Sequence, residues 1–143
     1  MDEIYHYALK ALQRRDYTEK QLREKLETKF GEAPVAVISQ LRAKRFLDDR
    51  RFADNFVRKH ADNHPEQVRS LLDAAGVGRE TIDEAVSAVN WPSLRDVLKA
   101  KMLDWRFHAP LQRREATRLF RVLARLGYSE DEIREELDQF HEQ

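Results

Sequence analysis

The chain repeats itself, and the repeat leaves it little choice of fold. Displaced by 51 residues, Val68, Leu72, Gly76, Val77, Ile82 and Val86 fall on Leu119, Leu123, Gly127, Tyr128, Ile133 and Leu137. Displaced by 46, Leu22 and Leu26 fall on Val68 and Leu72. With one residue inserted in the loop, Val37 and Leu41 then fall on Ile82 and Val86. The shared plan is a capped helix start, paired apolar positions and a glycine stop. Its clearest copy runs from Leu12 to Leu26. There Thr18 and Gln21 have the spacing of a capping box, and Leu22 and Leu26 put an apolar stripe on the helix that follows. The pattern predicts an all-α fold of nine helices in three tandem three-helix repeats, residues 1–46, 47–90 and 91–143, forming one continuous repeat domain. A unit this small cannot bury an adequate core alone, so the three are expected to stack into an elongated, curved body.

Local signals place the helices. The first is expected over about Asp2–Arg15 and the second over Thr18–Lys29, with Gly31 as its left-handed stop. Pro34 suits the first turn of a third helix ending near Lys44. Asp48 reads as the N-cap of a fourth, and His64-Pro65 breaks it and opens a fifth that stops at Gly76. A short sixth is expected over Gly78–Val89. Pro92 is read as the start of the seventh helix and Pro110 as the start of the eighth, which stops at Gly127. Ser129 and Glu132 have capping-box spacing for the ninth. The four prolines interrupt any sustained heptad and exclude a long coiled coil.

Composition narrows the function. Charged residues make up 36% of the chain, well above the ~25% of an average soluble protein. The formal net charge is zero, which taken alone argues against a dedicated nucleic-acid binder. The charges are sorted along the chain, however. Residues 1–60 carry +4, residues 61–90 carry −4, residues 91–127 carry +6 and residues 128–143 carry −6, so local fields are expected that the net value hides. There is no cysteine, no apolar run near the ~20 residues that span a bilayer, and no apolar signal core in M-D-E-I-Y-H-Y. A cytoplasmic protein with no membrane contact is the expectation.

No G-x-S-x-G, P-loop, H-E-x-x-H or cysteine nucleophile is present, and most carboxylates sit at helix starts or beside basic residues. The chain is read as a non-enzyme with no cofactor. His60 and His64 have metal-ligand spacing, but Pro65 interrupts the helix, and His64 is assigned to a cap rather than to a metal. Trp91 and Trp105, at helical spacing beside Leu94, Leu98 and Met102, are assigned to core rather than to base stacking.

The most informative polar feature lies in the eighth helix. Arg114, Arg118, Arg121 and Arg125 form one narrow stripe opposite Ala116, Leu119 and Leu123. The aligned positions in the second repeat are Asn63, Gln67, Ser70 and Ala74, so the scaffold itself does not require arginine there. Guanidinium forks suit carboxylates and phosphates alike. A solvated face is the competing reading. A second basic group, Arg50, Arg51, Arg58, Lys59 and Arg69, is diluted by Asp48, Asp49 and Asp54, and ordinary surface pairing explains it better.

The run R-R-D-Y-T-E-K-Q-L-R-E-K-L (14–26) followed by F-L-D-D-R-R-F-A (46–53) resembles the start of RecX-type recombination regulators. Q-V-R-S-L-L-D-A-A-G-V (67–77) and L-A-R-L-G-Y-S-E-D-E-I (123–133) resemble that family's second and third repeats. The likeness covers nearly the whole chain. It implies a small monomeric bacterial regulator that binds the groove of the RecA–DNA nucleoprotein filament and inhibits recombinase, ATPase and coprotease activities. Homologous recombination and the SOS response would be modulated in this way. By position, Arg69 matches a family arginine, Arg58 and Lys59 sit in a typically basic stretch, and Arg118 and Arg121 fall where basic residues are frequent. Two departures stand out. The family's glycine before the F-L-D-D run is Arg45 here, so that helix is expected to end differently. The family's basic glycine-bearing loop is replaced by Ala61–Pro65, which removes the expectation of DNA contact there.

The leading expectation is therefore a RecA-filament modulator that uses Arg114, Arg118, Arg121 and Arg125, then Arg58, Lys59 and Arg69. An autonomous binder of single- or double-stranded DNA and a generic helical scaffold are the alternatives. Strongly salt-dependent binding to bare DNA marks the first of these.

Overall fold

A computed structural model describes residues 2–141. Among the described residues the chain is all-α: α1 (Asp2–Arg14), α2 (Glu19–Phe30), α3 (Val35–Ala43), α4 (Asp49–Lys59), α5 (Pro65–Ala74), α6 (Arg79–Ser87), α7 (Leu94–Trp105), α8 (Arg113–Arg125) and α9 (Glu130–His141). Two starts differ from the proline signals. Ser93 Oγ accepts the Asp96 backbone N–H at 3.1 Å, so Ser93 caps α7 and Pro92 stays outside it. Gln112 donates its backbone N–H to Glu115 Oε1 at 2.9 Å, so α8 begins three residues after Pro110. The segment between is occupied otherwise: Leu111 is buried and its N–H donates to the Phe140 carbonyl.

The chain divides into two compact units. The first holds residues up to Lys59 together with Arg69–Val89. Within it α1 packs on α2 and α3, burying Ala8, Leu22, Leu26, Val37, Ile38, Leu41 and Leu47. α4 packs on α6, with Ala53 and Val57 buried on one helix and Ile82, Ala85 and Val86 on the other. Thr18 caps α2 as its spacing predicts, accepting from Gln21 N–H at 3.1 Å while its own N–H donates to Gln21 Oε1 at 3.1 Å. Its side chain is wholly buried, and its hydroxyl also donates to the Ala75 carbonyl at the end of α5.

Arg45 adopts the left-handed backbone that a glycine would take without strain, with φ 63°. The turn after α3 is thus left-handed with an arginine in it. Phe46 and Leu47 both donate to the Leu41 carbonyl, and the Arg51 guanidinium closes the turn on the carbonyls of Arg45 (2.9 Å) and Phe46 (3.2 Å).

The second unit holds His60–Val68 and the residues from Asn90 onward. α7 packs on both α8 and α9 around Val97, Leu98, Met102, Leu111, Leu119, Leu123, Tyr128, Ile133 and Leu137. The end of α8 is held from the start of α5: His64 N–H donates to the Leu126 carbonyl at 2.8 Å and Gln67 Nε2 to the Arg125 carbonyl at 3.0 Å. Gly127 makes this approach possible, for it has φ 102° and a Cβ there would stand 2.8 Å from Gln67 Cβ.

These two turns give opposite expectations in urea denaturation. Arg45→Gly relieves a left-handed arginine and raises stability by about 1 kcal/mol. Gly127→Ala adds both left-handed strain and a steric clash, and lowers it by about 2 kcal/mol or more.

Asp49 supplies a pH test. Its carboxylate accepts Glu19 N–H at 2.9 Å. Burial pushes its pKa above the ordinary carboxylate value, and the neighbouring Glu19 and Asp48 charges add to this, against the lowering effect of that hydrogen bond. A raised folded-state pKa means stability that is present at low pH and lost as pH rises through the folded value. Asp49→Asn keeps an acceptor without the charge, so thermal melts are expected to show it more stable than the parent at pH 7, with the difference shrinking towards acid. Asp49→Ala leaves the Glu19 N–H without its partner and costs about 1 kcal/mol at neutral pH.

Candidate functional site

The arginine stripe of α8 follows from register. Residues at i, i+4, i+7 and i+11 fall within about 60° of one another on a helix of 3.6 residues per turn. Leu119 and Leu123 are fully buried on the opposite side, so the core fixes which way the arginines face. Arg114, Arg118, Arg121 and Arg125 are all exposed. Among the described residues none of the four has a carboxylate within ion-pair distance, whereas Arg95 on α7 is held by Glu136 at 3.0 Å and Lys101 by Asp62 at 3.2 Å.

The stripe lines an open concavity of about 810 Å³, together with Trp105, Arg113, Thr117 and Val122. Trp105 is the last residue of α7. Arg106 turns the chain back with φ 59°, which sets Phe107 edge-on to the tryptophan with ring centroids 5.6 Å apart. The Arg118 guanidinium lies 4.1 Å above the Trp105 ring and 5.9 Å from that of Phe107. A cation at this distance is attracted by the ring quadrupole and keeps its edge N–H groups free to donate. The arrangement holds five positive charges at one place, Arg113 and the four of the stripe, with Arg118 fixed in orientation. It can bind an anion with several acidic groups.

Trp105 is thus only partly the core residue its spacing indicated. It packs against the core, while its other face takes Arg118. Arg113, Thr117 and Phe107 complete the surroundings, and no pattern in the sequence singled them out. The W-R-F run at 105–107 was the one available signal, since residues two apart point to nearly opposite sides of a helix and can face one side only where the helix has ended.

The second basic group is mostly spent within the first unit. Arg50 pairs with Asp54 at 3.1 Å and with Glu84, Arg51 closes the α3 turn, and Arg69 pairs with Asp83. Arg58 donates to Asn55 Oδ1 at 3.2 Å and is exposed, as is Lys59. The structure therefore brings the four α8 arginines together in one unit and leaves Arg58, Lys59 and Arg69 in the other. His64 takes the capping role, its Nδ1 accepting Glu66 N–H at 3.1 Å. Among the described residues no group of three or more His, Cys, Asp or Glu is placed to hold a metal, and no helix is long and apolar enough to cross a membrane.

Comparison with known proteins gives one family throughout. The model of the RecX first three-helix domain matches residues 5–37. Regulatory protein RecX of Halorhodospira halophila is 32% identical over 135 residues, covering 89% of this chain and 81% of that protein. The Stenotrophomonas maltophilia protein of the same name is 34% identical over 134 residues, covering 89% and 80%. That of Thermus thermophilus is 41% identical over 86 residues, and there the chain spans 61% of the relative's length. A crystal structure of RecX from Lactobacillus salivarius superposes with a TM-score of 0.65 at 18% identity over 96% of each chain, a likeness of fold. RecX is a family of regulatory proteins rather than of enzymes. With helices, order of elements and relatives in agreement over most of its length, the chain belongs to the RecX family of regulatory proteins.

Proposed function

We propose that this RecX protein docks on the RecA–DNA filament through the arginine face of α8 and inhibits its recombinase, ATPase and coprotease activities. Recombination and the SOS response are thereby restrained. One observation carries the reading: four exposed arginines stand together, and among the described residues none of them has a carboxylate partner. Keeping like charges so close is unfavourable in the free protein, and a polyanionic partner relieves it. Arg114, Arg118 and Arg121 make the first contacts and Arg125 extends them. Arg58 and Lys59 offer a lesser contact from the first unit, and Arg69 contributes only by exchanging Asp83 for a partner group. The partition into repeats 1–46, 47–90 and 91–143 belongs to the same proposal, with the protein acting as a monomer in the cytoplasm.

Autonomous binding to bare DNA is the second reading. The Arg118–Trp105 stack favours it, because a guanidinium plane held on an aromatic ring can also stack under a base. The zero net charge counts against it.

RecA's DNA-dependent ATPase tests the first reading. Arg118→Ala/Arg121→Ala removes two exposed groups at the cost of the Arg118–Trp105 stack alone, worth about 0.5–1 kcal/mol at an exposed site, so melting should change little, while half-inhibition should need about tenfold more protein or beyond. Unchanged inhibition removes the stripe from the mechanism. Tight binding to bare DNA with a steep salt dependence, lost in the same variant, transfers the stripe to the second reading.

A further inference from the structure

The other flank of α8 has a different chemistry. Leu111, Ala116, Phe120 and Leu137 line an apolar slot between α8 and α9, an open cavity of about 620 Å³, with Arg113, Arg121 and Arg134 around its rim. Ala116 and Phe120 are four residues apart and share one helical face, and Arg113, Thr117 and Arg121 form the ridge between this slot and the arginine concavity. Among the described residues Arg113 and Arg121 have no ion pair. The Arg134 guanidinium lies 5.7 Å from the Phe120 ring centroid. Its pairing with Glu130 is long, at 3.6 Å, and both side chains are about two-thirds exposed, at 63% and 67%, so a competing carboxylate displaces it at little cost.

Apolar floor and cationic rim together select the occupant. A phosphate chain satisfies the rim and leaves the floor empty. An uncharged apolar ligand fills the floor and leaves Arg113 and Arg121 beside it with no counter-charge supplied. A second copy of the chain presents carboxylates along α9, but Ile133 and Leu137 of that helix are buried in their own core and cannot serve as anchors. We propose that the slot binds an acidic peptide segment of a partner protein, seating one Leu, Ile or Phe side chain on Ala116, Phe120 and Leu137, with flanking Asp or Glu carboxylates on Arg113, Arg121 and Arg134. Such an anchor in a pocket with charged groups at its edge is the usual anatomy of a protein contact. The assignment concerns a site beside the arginine face, and it stands whether or not the partner is RecA.

A short fluorescein-labelled peptide of Asp and Glu carrying one Leu and one Phe is the probe, followed by anisotropy with the full chain at low salt. The wild type is expected to bind it. Ala116→Glu, which puts a carboxylate on the slot floor, and Arg134→Glu, an exposed change that leaves the core untouched, should each weaken binding about tenfold or more. Replacing Leu and Phe of the peptide by Ser should weaken it comparably, whereas Arg114→Ala/Arg118→Ala should change it by no more than about twofold. No binding, equal binding by both slot variants, or undiminished binding of the Ser peptide overturns the proposal. Displacement by a thymidine oligomer that Ala116→Glu also fails to bind reassigns the slot to nucleic acid, and displacement by self-association at high protein concentration reassigns it to a second copy. Peptide binding by a protein that leaves RecA's ATPase untouched defeats the filament reading and leaves this one standing.

Discussion

Helix ends that finish in another helix's cap hold this chain together. The last carbonyls of an α-helix have no partner within the helix, and burying them unpaired is costly. Here the Ala75 carbonyl, just past α5, is met by the Thr18 hydroxyl at the start of α2. The Arg125 and Leu126 carbonyls, at the end of α8, are met by Gln67 and by the His64 N–H at the start of α5. In the internal repeat, His64 is Thr18 displaced by 46 residues and Leu126 is Ala75 displaced by 51. The same tie is therefore made twice, with a threonine hydroxyl in one instance and a backbone N–H in the other. Gly76 and Gly127 follow the two tied carbonyls in left-handed backbone, with φ 93° and 102°. At each, a Cβ would collide with the side chain arriving from the partner helix, Lys20 or Gln67. The glycine stop of the repeat is thus a packing requirement as much as a turn requirement.

That distinction explains what could be read from the residues. Capping boxes, glycine stops and apolar pairs are local, acting over three or four positions, and they located the helices and the buried leucines. The ties span 57 residues from Thr18 to Ala75 and 58 from Gln67 to Arg125, and no local pattern announces them. Prolines misplaced the starts of α7 and α8 for a related reason. Proline is compatible with a first turn but does not demand one, whereas Ser93 and the Glu115 carboxylate satisfy a backbone N–H and so fix the boundary. Arg45 shows the converse. The family's glycine is an arginine here, and the left-handed turn it occupies carries four hydrogen bonds, two of them from Arg51, that offset the strain of a left-handed arginine.

The site divides along the same line. The α8 stripe was legible because spacing alone puts its four arginines on one face. Which cations of the second basic group are held in ion pairs was not, since Glu84 and Asp83, which pair with Arg50 and Arg69, lie 34 and 14 residues away in the chain. Trp105 was ambiguous because it does two things, packing one face into the core and offering the other to Arg118.

Net charge leaves the local field undescribed, and the packing of α8 on α9 shows why. Residues 91–127 carry +6 and residues 128–143 carry −6, and the two helices are neighbours in sequence and in space. They meet through Leu119, Leu123, Ile133 and Leu137, all in one core. An apolar seam of this kind turns the charged sides of both helices outward, and among the described residues no α8 arginine is paired with an α9 carboxylate. At physiological salt an exposed charge is felt over only about 8 Å, so a partner approaching the stripe meets arginines and little of the compensating acid. A chain of zero net charge can in this way present a strongly positive face. Its electrostatics are decided by which residues the core turns away from each other, a property of the fold that no sum over the sequence contains.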